Sequence, residues 1–246
     1  AEGLTKALAA IARRTSSSSN IATNAATIKT GGKVFNASYV SGIWTGAVNA
    51  WTLDAYNNPS ALAWTASIPA FSTRKTKVFT YNGTTGDTFP TATQTTSLDR
   101  STVGPVDYPV TGAKNADYIM GDQSGEGTAV GKLRVRDALL GDIVDSSPAY
   151  VDDTKTLYVG ANDGMLHAFD AGTGVEQFAY VPNLINFGKL AQISRGDYDH
   201  QWSVDGPVAV TSRKLTPSQN LLVGSLGRGG KGMYGLDVST PASFGT

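Results

Sequence analysis

Short runs rich in aromatic and β-branched residues, broken by turn residues, recur along most of the chain. Between Lys33 and Pro69 there are three such runs: KVFNASYV, GAVNAWTLDA and ALAWTASIP. Runs of this length and composition, separated by SGIWT and YNNPS, predict three antiparallel strands in succession. A further run, TRKTKVFTYNG, ends at an Asn-Gly turn signal and predicts one more strand. Residues 31–90 are therefore predicted to hold the first set of strands.

The strand pattern returns at Ser146 and then repeats. Four runs follow in order: SSPAYV, TLYVG, MLHAF and VEQFAY. Asp163-Gly164 predicts a two-residue hairpin turn between the second run and the third. Four strands within about 35 residues match one blade of a β-propeller. A second unit keeps the same order, with Pro207 in the place of Pro148, Gly224 in that of Gly160 and Asp237 in that of Asp170.

These patterns predict an all-β protein, a partial β-propeller with a short N-terminal helix and an irregular, partly helical insertion. Leu4, Ala7, Leu8 and Ile11 have helical spacing, so residues 1–30 are predicted as a helix followed by a Ser-rich polar link. Residues 91–145 are predicted as the insertion. Residues 146–246 are predicted as further blades, and we expect more blades after them because an open half-ring leaves strand edges exposed.

Composition excludes several classes of function. Lys plus Arg equals Asp plus Glu at 20 each, which argues against a nucleic-acid partner or an anionic membrane surface. The absence of cysteine excludes disulfides and thiolate metal sites. No run of 18 apolar residues is present, so no transmembrane segment is predicted.

An ordered set of strings resembles a known family. The strings are LLGDIVDSSPAYV, LYVGANDGMLHAFDAGTG, FAYVPN, YDHQWSVDGPVAV and LLVGSLGRGGKGMYGLDV. Together they resemble the C-terminal propeller of PilY- and PilC-type proteins, the tip-associated adhesins and biogenesis factors of type IV pili. The chain departs from the family pattern at Met120-Gly121, where the family often has Arg-Gly, and at Asp145, where it often has Asn or His.

The resemblance implies a non-enzymatic protein of the bacterial outer surface or pilus tip that acts in pilus biogenesis and adhesion. It implies minor or major pilins and other tip components as partners, together with a host-cell or surface receptor. It also implies calcium, bound by an Asp-rich loop in later blades. Two alternatives stay open: a fragment of a quinoprotein-dehydrogenase-like propeller, and an outer-membrane assembly scaffold.

Two short motifs are candidate binding sites. Asp197, Asp199 and Asp205 in DYDHQWSVD are spaced like oxygen ligands of calcium, although Trp202 stands where a tight loop needs a small residue. The alternative is a set of carboxylates at a turn. Arg195, Gly196 and Asp197 spell the tripeptide that integrins recognise, with an ordinary turn as the alternative.

Catalytic motifs are weak. His167 and His200 lie in different repeat units, and neither has a second histidine at metal-ligand spacing. Ser146-Ser147 lacks the strand-to-helix turn of a nucleophile elbow. The glycines of GSLGRGGKG are not followed by the Ser or Thr of a phosphate-binding loop. The sequence therefore predicts no enzyme.

Overall fold

A computed structural model describes residues 16–23, 32–100 and 109–245. The helix predicted at residues 2–14 lies outside these ranges. The described residues form thirteen strands in three sheets, with a few short helices. No helix among them is long and apolar enough to cross a membrane.

Sheet 1 is a four-stranded antiparallel meander. Its strands are β1 (Ser16–Thr23), β2 (Lys33–Val40), β3 (Thr45–Leu53) and β4 (Pro59–Thr65). The three strands predicted after Lys33 are confirmed. The polar link predicted around TSSSSN is wrong in part, because Ser16–Thr23 pairs with β2 and has a register shift between Ser18 and Ile21. The free edge of β2 gives the backbone of this Ser-rich segment hydrogen-bond partners, which outweighs its weak strand propensity.

Sheet 2 has six strands in the order β6-β5-β10-β9-β8-β7. The strands are β5 (Val78–Tyr81), β6 (Gly86–Thr88), β7 (Ala149–Val151), β8 (Thr156–Gly160), β9 (Leu166–Asp170) and β10 (Glu176–Tyr180). Strands β7 to β10 form the blade predicted from the sequence. The β5–β6 hairpin, predicted as part of a separate unit, instead joins this blade, where β5 runs parallel to β10.

Sheet 3 is antiparallel and contains β11 (Val208–Val210), β12 (Leu221–Ser225) and β13 (Met233–Asp237). The repeat inferred from the sequence is visible in equivalent turns. Asp54 follows β3, Asp170 ends β9 and Asp237 ends β13. Each of these side chains accepts a backbone N–H two residues further on, at 2.8, 2.9 and 3.0 Å. Asx turns of this kind explain why aspartate recurs there.

The insertion holds two of the short helices. Helix α1 (Phe71–Arg74) precedes β5, and α2 (Ala92–Ser97) and α3 (Gly112–Ile119) lie in the insertion itself, while α4 (Phe187–Leu190) follows β10. Helix α2 begins with a capping box, in which Thr91 and Gln94 each accept a backbone N–H from the other. The rest of the described insertion is irregular, including KLRVRDALLGDI.

Sheet 2 lies between the other two sheets. One of its faces packs on sheet 1, where Phe35 and Val48 meet Leu157 and Phe169. The other face packs on sheet 3. The first strands also meet, since β7 contacts β1 on one side and β11 on the other. Stacked sheets with adjoining first strands are the arrangement of propeller blades. The described residues are thus three blades of a partial β-propeller, without a closed ring. Blade 1 is sheet 1, blade 2 is sheet 2 and blade 3 is sheet 3.

Candidate functional site

The turn between β8 and β9 carries two polar residues, Asn162 and Asp163, that each bond to groups far along the chain. The sequence ANDG predicts a two-residue turn, and this is wrong in length. Ala161 N donates to Met165 O at 2.9 Å, which leaves three residues in the loop, and Gly164 has a φ of +94°. The longer loop lets the side chains of Asn162 and Asp163 point in different directions and bind separate partners.

Asn162 belongs to a group that we call the junction cluster: Asp142, Asn162, His200 and Asp205. Its amide nitrogen lies 2.8 Å from Asp142 Oδ2 and 3.2 Å from Asp205 Oδ2, so one NH₂ group bridges two carboxylates. Its side-chain oxygen accepts Ser203 N at 2.9 Å. Asn162 therefore connects blade 2 to the segment that leads into sheet 3.

Asp205 closes this connection from the other side. Its carboxylate accepts the backbone N–H groups of Val144, Asp145 and Ser146 at 2.9 to 3.0 Å. Three successive amides aimed at one carboxylate form a backbone nest. Burial raises the pKa of Asp205 to about 6, against the opposing effect of these hydrogen bonds. Asp205, which precedes β11, thus binds the backbone of the residues that precede β7.

His200 connects the cluster to sheet 1. Its Nε2 lies 2.8 Å from Asp142 Oδ2, and its ring lies against that of Trp44, tilted by 32° with 4.0 Å between centroids. Trp44 has a φ of +54°, a conformation that costs a bulky residue energy and persists only where the surroundings hold it. Trp202 meets the same imidazole edge-on at 4.8 Å.

Asp163 belongs to a second network, the buried ion chain, which runs Arg74, Glu176, His167, Asp163. Arg74 Nε lies 2.6 Å from Glu176 Oε2, and His167 Nδ1 lies 2.7 Å from Glu176 Oε1. His167 Nε2 then reaches both oxygens of Asp163 at 3.1 Å. The four side chains of the buried ion chain are at most 8% exposed. Two cations and two anions therefore balance each other out of contact with water.

The protonation state of His167 follows from this geometry. Burial alone would lower the pKa of His167, but Asp163 and Glu176 raise it to about 9. Burial likewise would raise the pKa of Glu176, but Arg74 and His167 lower it to about 2. A histidine with a carboxylate at each ring nitrogen donates from both, which requires the imidazolium.

The two networks meet a third contact, from sheet 1. Asp163 Oδ2 accepts Gly141 N at 2.9 Å, and Gly46 N of β3 donates to Leu140 O at 2.9 Å. A Cβ on Gly46 would lie 2.1 Å from Gly141 O, so only glycine allows this approach. One turn in blade 2 thereby contacts the segment that pairs with sheet 1 and the segment that leads into sheet 3.

The residues predicted to bind calcium do not come together. Asp205 is engaged by backbone donors, and Asp197 pairs with Arg195. Asp199 lies exposed between them in sequence. Within residues 16–23, 32–100 and 109–245, no three acidic or histidine side chains are grouped as metal ligands. The carboxylate of Asp205 fills a nest of N–H groups, which is a site for an anion and not for a cation. Spacing along the chain alone did not show this.

The Arg195, Gly196 and Asp197 tripeptide has a definite geometry. Arg195 Nε and Nη2 donate to the two oxygens of Asp197, both at 2.8 Å. The two side chains therefore face each other in a bidentate pair. The sequence did not indicate Arg74, Glu176 and Asn162 as functional residues. Arg74 and Glu176 are 102 positions apart, and Asn162 lies 20 positions from Asp142.

Comparison with known proteins agrees with the fold. The model of the PilY1 β-propeller domain matches residues 126–244. Residues 126–244 belong to the PilY1 β-propeller family. A "Type IV pilus biogenesis factor PilY1 homolog" of Xylella fastidiosa is 34% identical over 91% of this chain and 20% of its own length. The "Type IV pilus biogenesis factor PilY1" of Pseudomonas aeruginosa UCBPP-PA14 is 36% identical over 53% of this chain and 13% of its own length.

These matches confirm the resemblance inferred from the motifs of the sequence. The matched part of the chain spans 20% of the Xylella relative's length and 13% of the Pseudomonas relative's length. No solved structure matches. The PilY1-type match includes β7 to β13, the turn with Asn162 and Asp163, and Asp205. Blade 1, which supplies Trp44, precedes the matched segment.

Proposed function

We propose that this chain is a rigid, non-enzymatic module of a cell-surface pilus protein that acts in pilus biogenesis and adhesion. The observation that carries the proposal is the turn at Asn162 and Asp163, whose polar groups hold three blades together. The titratable residues of both networks bind one another or the backbone, as structural groups do. The names of the curated relatives supply the biological context of pilus biogenesis.

On this proposal the module presents loops on a stiff scaffold to other components of the pilus. Minor or major pilins and other tip proteins are the partners that we propose, with a surface or host receptor as the target of adhesion. The place of action is the outer surface of a bacterium. Calcium binding within the wider protein stays a prediction.

The test asks whether pilus assembly and attachment both depend on the intact junction between the blades. In bacteria that carry the full-length protein, Asp205→Ala removes the acceptor of three backbone amides and should open the junction between blades 2 and 3. We expect surface pili and attachment to fall together, and the matched substitution Asp199→Ala at an exposed carboxylate should leave both unchanged. Normal piliation and attachment with an Asp205→Ala protein that has demonstrably lost its folded blades would refute the proposal.

A further inference from the structure

A groove lies beside the blades on the face formed by the insertion. One wall is the loop of residues 127–135, and the other is the segment Ser194–Asp197. The groove has two connected parts of about 590 and 390 Å³ that share Thr128, Arg134, Val135 and Gly196. We call it the basic groove, because four cationic residues line it against two acidic ones, in a chain whose net charge is zero.

The walls of the basic groove are fixed by backbone hydrogen bonds. Gly127 N donates to Leu133 O at 3.0 Å, and Lys132 N donates to Ala129 O at 3.1 Å. Arg134 N donates to Ser194 O at 2.9 Å, which ties one wall to the other. The groove is therefore preformed, so that a ligand would not have to order its loops on binding.

Arg134 is held with donors to spare. Its Nε donates to Ile193 O at 2.9 Å, and its guanidinium lies 4.5 Å from the centre of the Tyr198 ring. Its guanidinium also faces the Tyr118 hydroxyl, which donates to Arg134 O at 3.0 Å. A half-buried guanidinium that is positioned by one nitrogen and by stacking presents its remaining N–H groups as a fork, which suits a carboxylate.

The neighbouring cations show the same chemistry. Arg195 already binds a carboxylate in the bidentate manner, that of Asp197. The exposed side chain of Lys132 has no hydrogen-bonded partner among residues 16–23, 32–100 and 109–245, and its stem passes over Gly127, where a Cβ would lie 3.0 Å from Lys132 Cγ. Three guanidinium groups, those of Arg100, Arg134 and Arg195, and the ammonium group of Lys132 thus line one groove. It holds two carboxylates, of which Asp197 pairs with Arg195.

We propose that the basic groove binds an extended acidic peptide, with carboxylates on Arg134 and Lys132. Apolar side chains of the peptide would contact Val130 and Val135, which are 84% and 52% exposed on the same wall. These valines favour a peptide over an anionic polysaccharide. Sugar rings pack on free aromatic faces, whereas Arg134 lies over the ring of Tyr198 and His200 lies against that of Trp44.

The experiment measures fluorescence anisotropy of a labelled ten-residue peptide of alternating Glu and Val, added to the purified full chain. A matched peptide of alternating Gln and Val has the same shape without charge. We expect the Glu peptide to bind and the Gln peptide to bind at least about tenfold more weakly, since a hydrogen bond to a charged group contributes about 1.5–3 kcal/mol. Raising the salt concentration should weaken binding of the Glu peptide.

Variants locate the site. Lys132→Gln and Arg134→Gln should each weaken the Glu peptide by about tenfold, and Lys214→Gln, at an exposed cation outside the groove, should not. Because Arg134 also supports a wall, its variant is compared with wild type by thermal unfolding, and Lys132→Gln decides the matter if Arg134→Gln is misfolded. Equal binding of the two peptides, unchanged binding in Lys132→Gln, or binding of an oligogalacturonate in place of the Glu peptide would overturn the proposal.

Discussion

The junction cluster and the buried ion chain start from adjacent residues, yet they solve different physical problems. Asn162 bridges a pair of carboxylates, of which that of Asp205 also accepts a backbone nest. At Asp163 the partner is an imidazolium in a chain of paired ions. The first network joins one blade to the next with hydrogen bonds that need few full charges. The second fixes blade 2 internally and ties α1 to it, through charges that depend wholly on one another.

The largest effect is expected from breaking the ion chain. Glu176→Gln leaves Arg74 and His167 buried with only one carboxylate between them. Removing one partner of a buried pair costs about 3–5 kcal/mol, so the free energy of unfolding in urea should fall by that amount. The matched control is Asp199→Asn, the same carboxylate-to-amide change at an exposed side chain, which should leave the free energy of unfolding nearly unchanged. A loss below about 1 kcal/mol for Glu176→Gln would show that the ions are not coupled.

A smaller effect is expected at the junction cluster. Asp205→Ala strips three backbone amides of their acceptor, and a buried unsatisfied donor costs about 1–3 kcal/mol. We expect a loss of about 2–3 kcal/mol in total, because water can enter the space that the side chain leaves. Asp205→Asn keeps one oxygen and should lose less. If alanine and asparagine are equally destabilising, the nest is not what holds Asp205.

These two networks also show what the sequence could reveal. The strands from Lys33 onward and the repeated Asp54, Asp170 and Asp237 turns follow from local patterns, because neighbouring residues determine them. Ser16–Thr23 was missed as a strand because its pairing depends on the edge of β2. Asp205 was predicted as a calcium ligand because spacing along the chain identifies a carboxylate but not the amides of residues 144–146 that it faces.

Stability should respond to pH in a direction set by the ion chain. The pKa of His167 is raised to about 9 from 6.5, so its stabilising charge is fully present below about pH 6.5 and is lost as pH rises through 9. The pKa of Glu176 is lowered to about 2, so its contribution is present above about pH 4.5 and is lost as pH falls toward 2. Unfolding in urea at pH 7, 9 and 10 tests the first limb.

The variant His167→Gln provides the comparison for that measurement. It should be less stable than wild type at pH 7, and the difference between the two proteins should shrink as pH rises past 9. A difference that stays constant over this range would mean that His167 is neutral in the folded protein.

The smallest effect is expected at the exposed rim of the junction. Arg228 pairs with Asp145 at 3.1 Å and lies over Trp202, but its side chain is 63% exposed. Exposed ion pairs contribute about 0–1 kcal/mol, so Arg228→Gln should change the free energy of unfolding by no more than that. A loss comparable to that of Asp205→Ala would extend the junction cluster to its rim.

We expect the turn at Asn162 and Asp163 to make blades 2 and 3 unfold as one unit. Native-state hydrogen exchange of wild type and of Asn162→Ala tests it most directly, through the opening free energies of amides in β8 and β12. We predict that the two strands share one opening free energy in wild type, and that in Asn162→Ala the amides of β12 open at lower free energy than those of β8. Separate opening in wild type, or shared opening that survives in the variant, would contradict the claim.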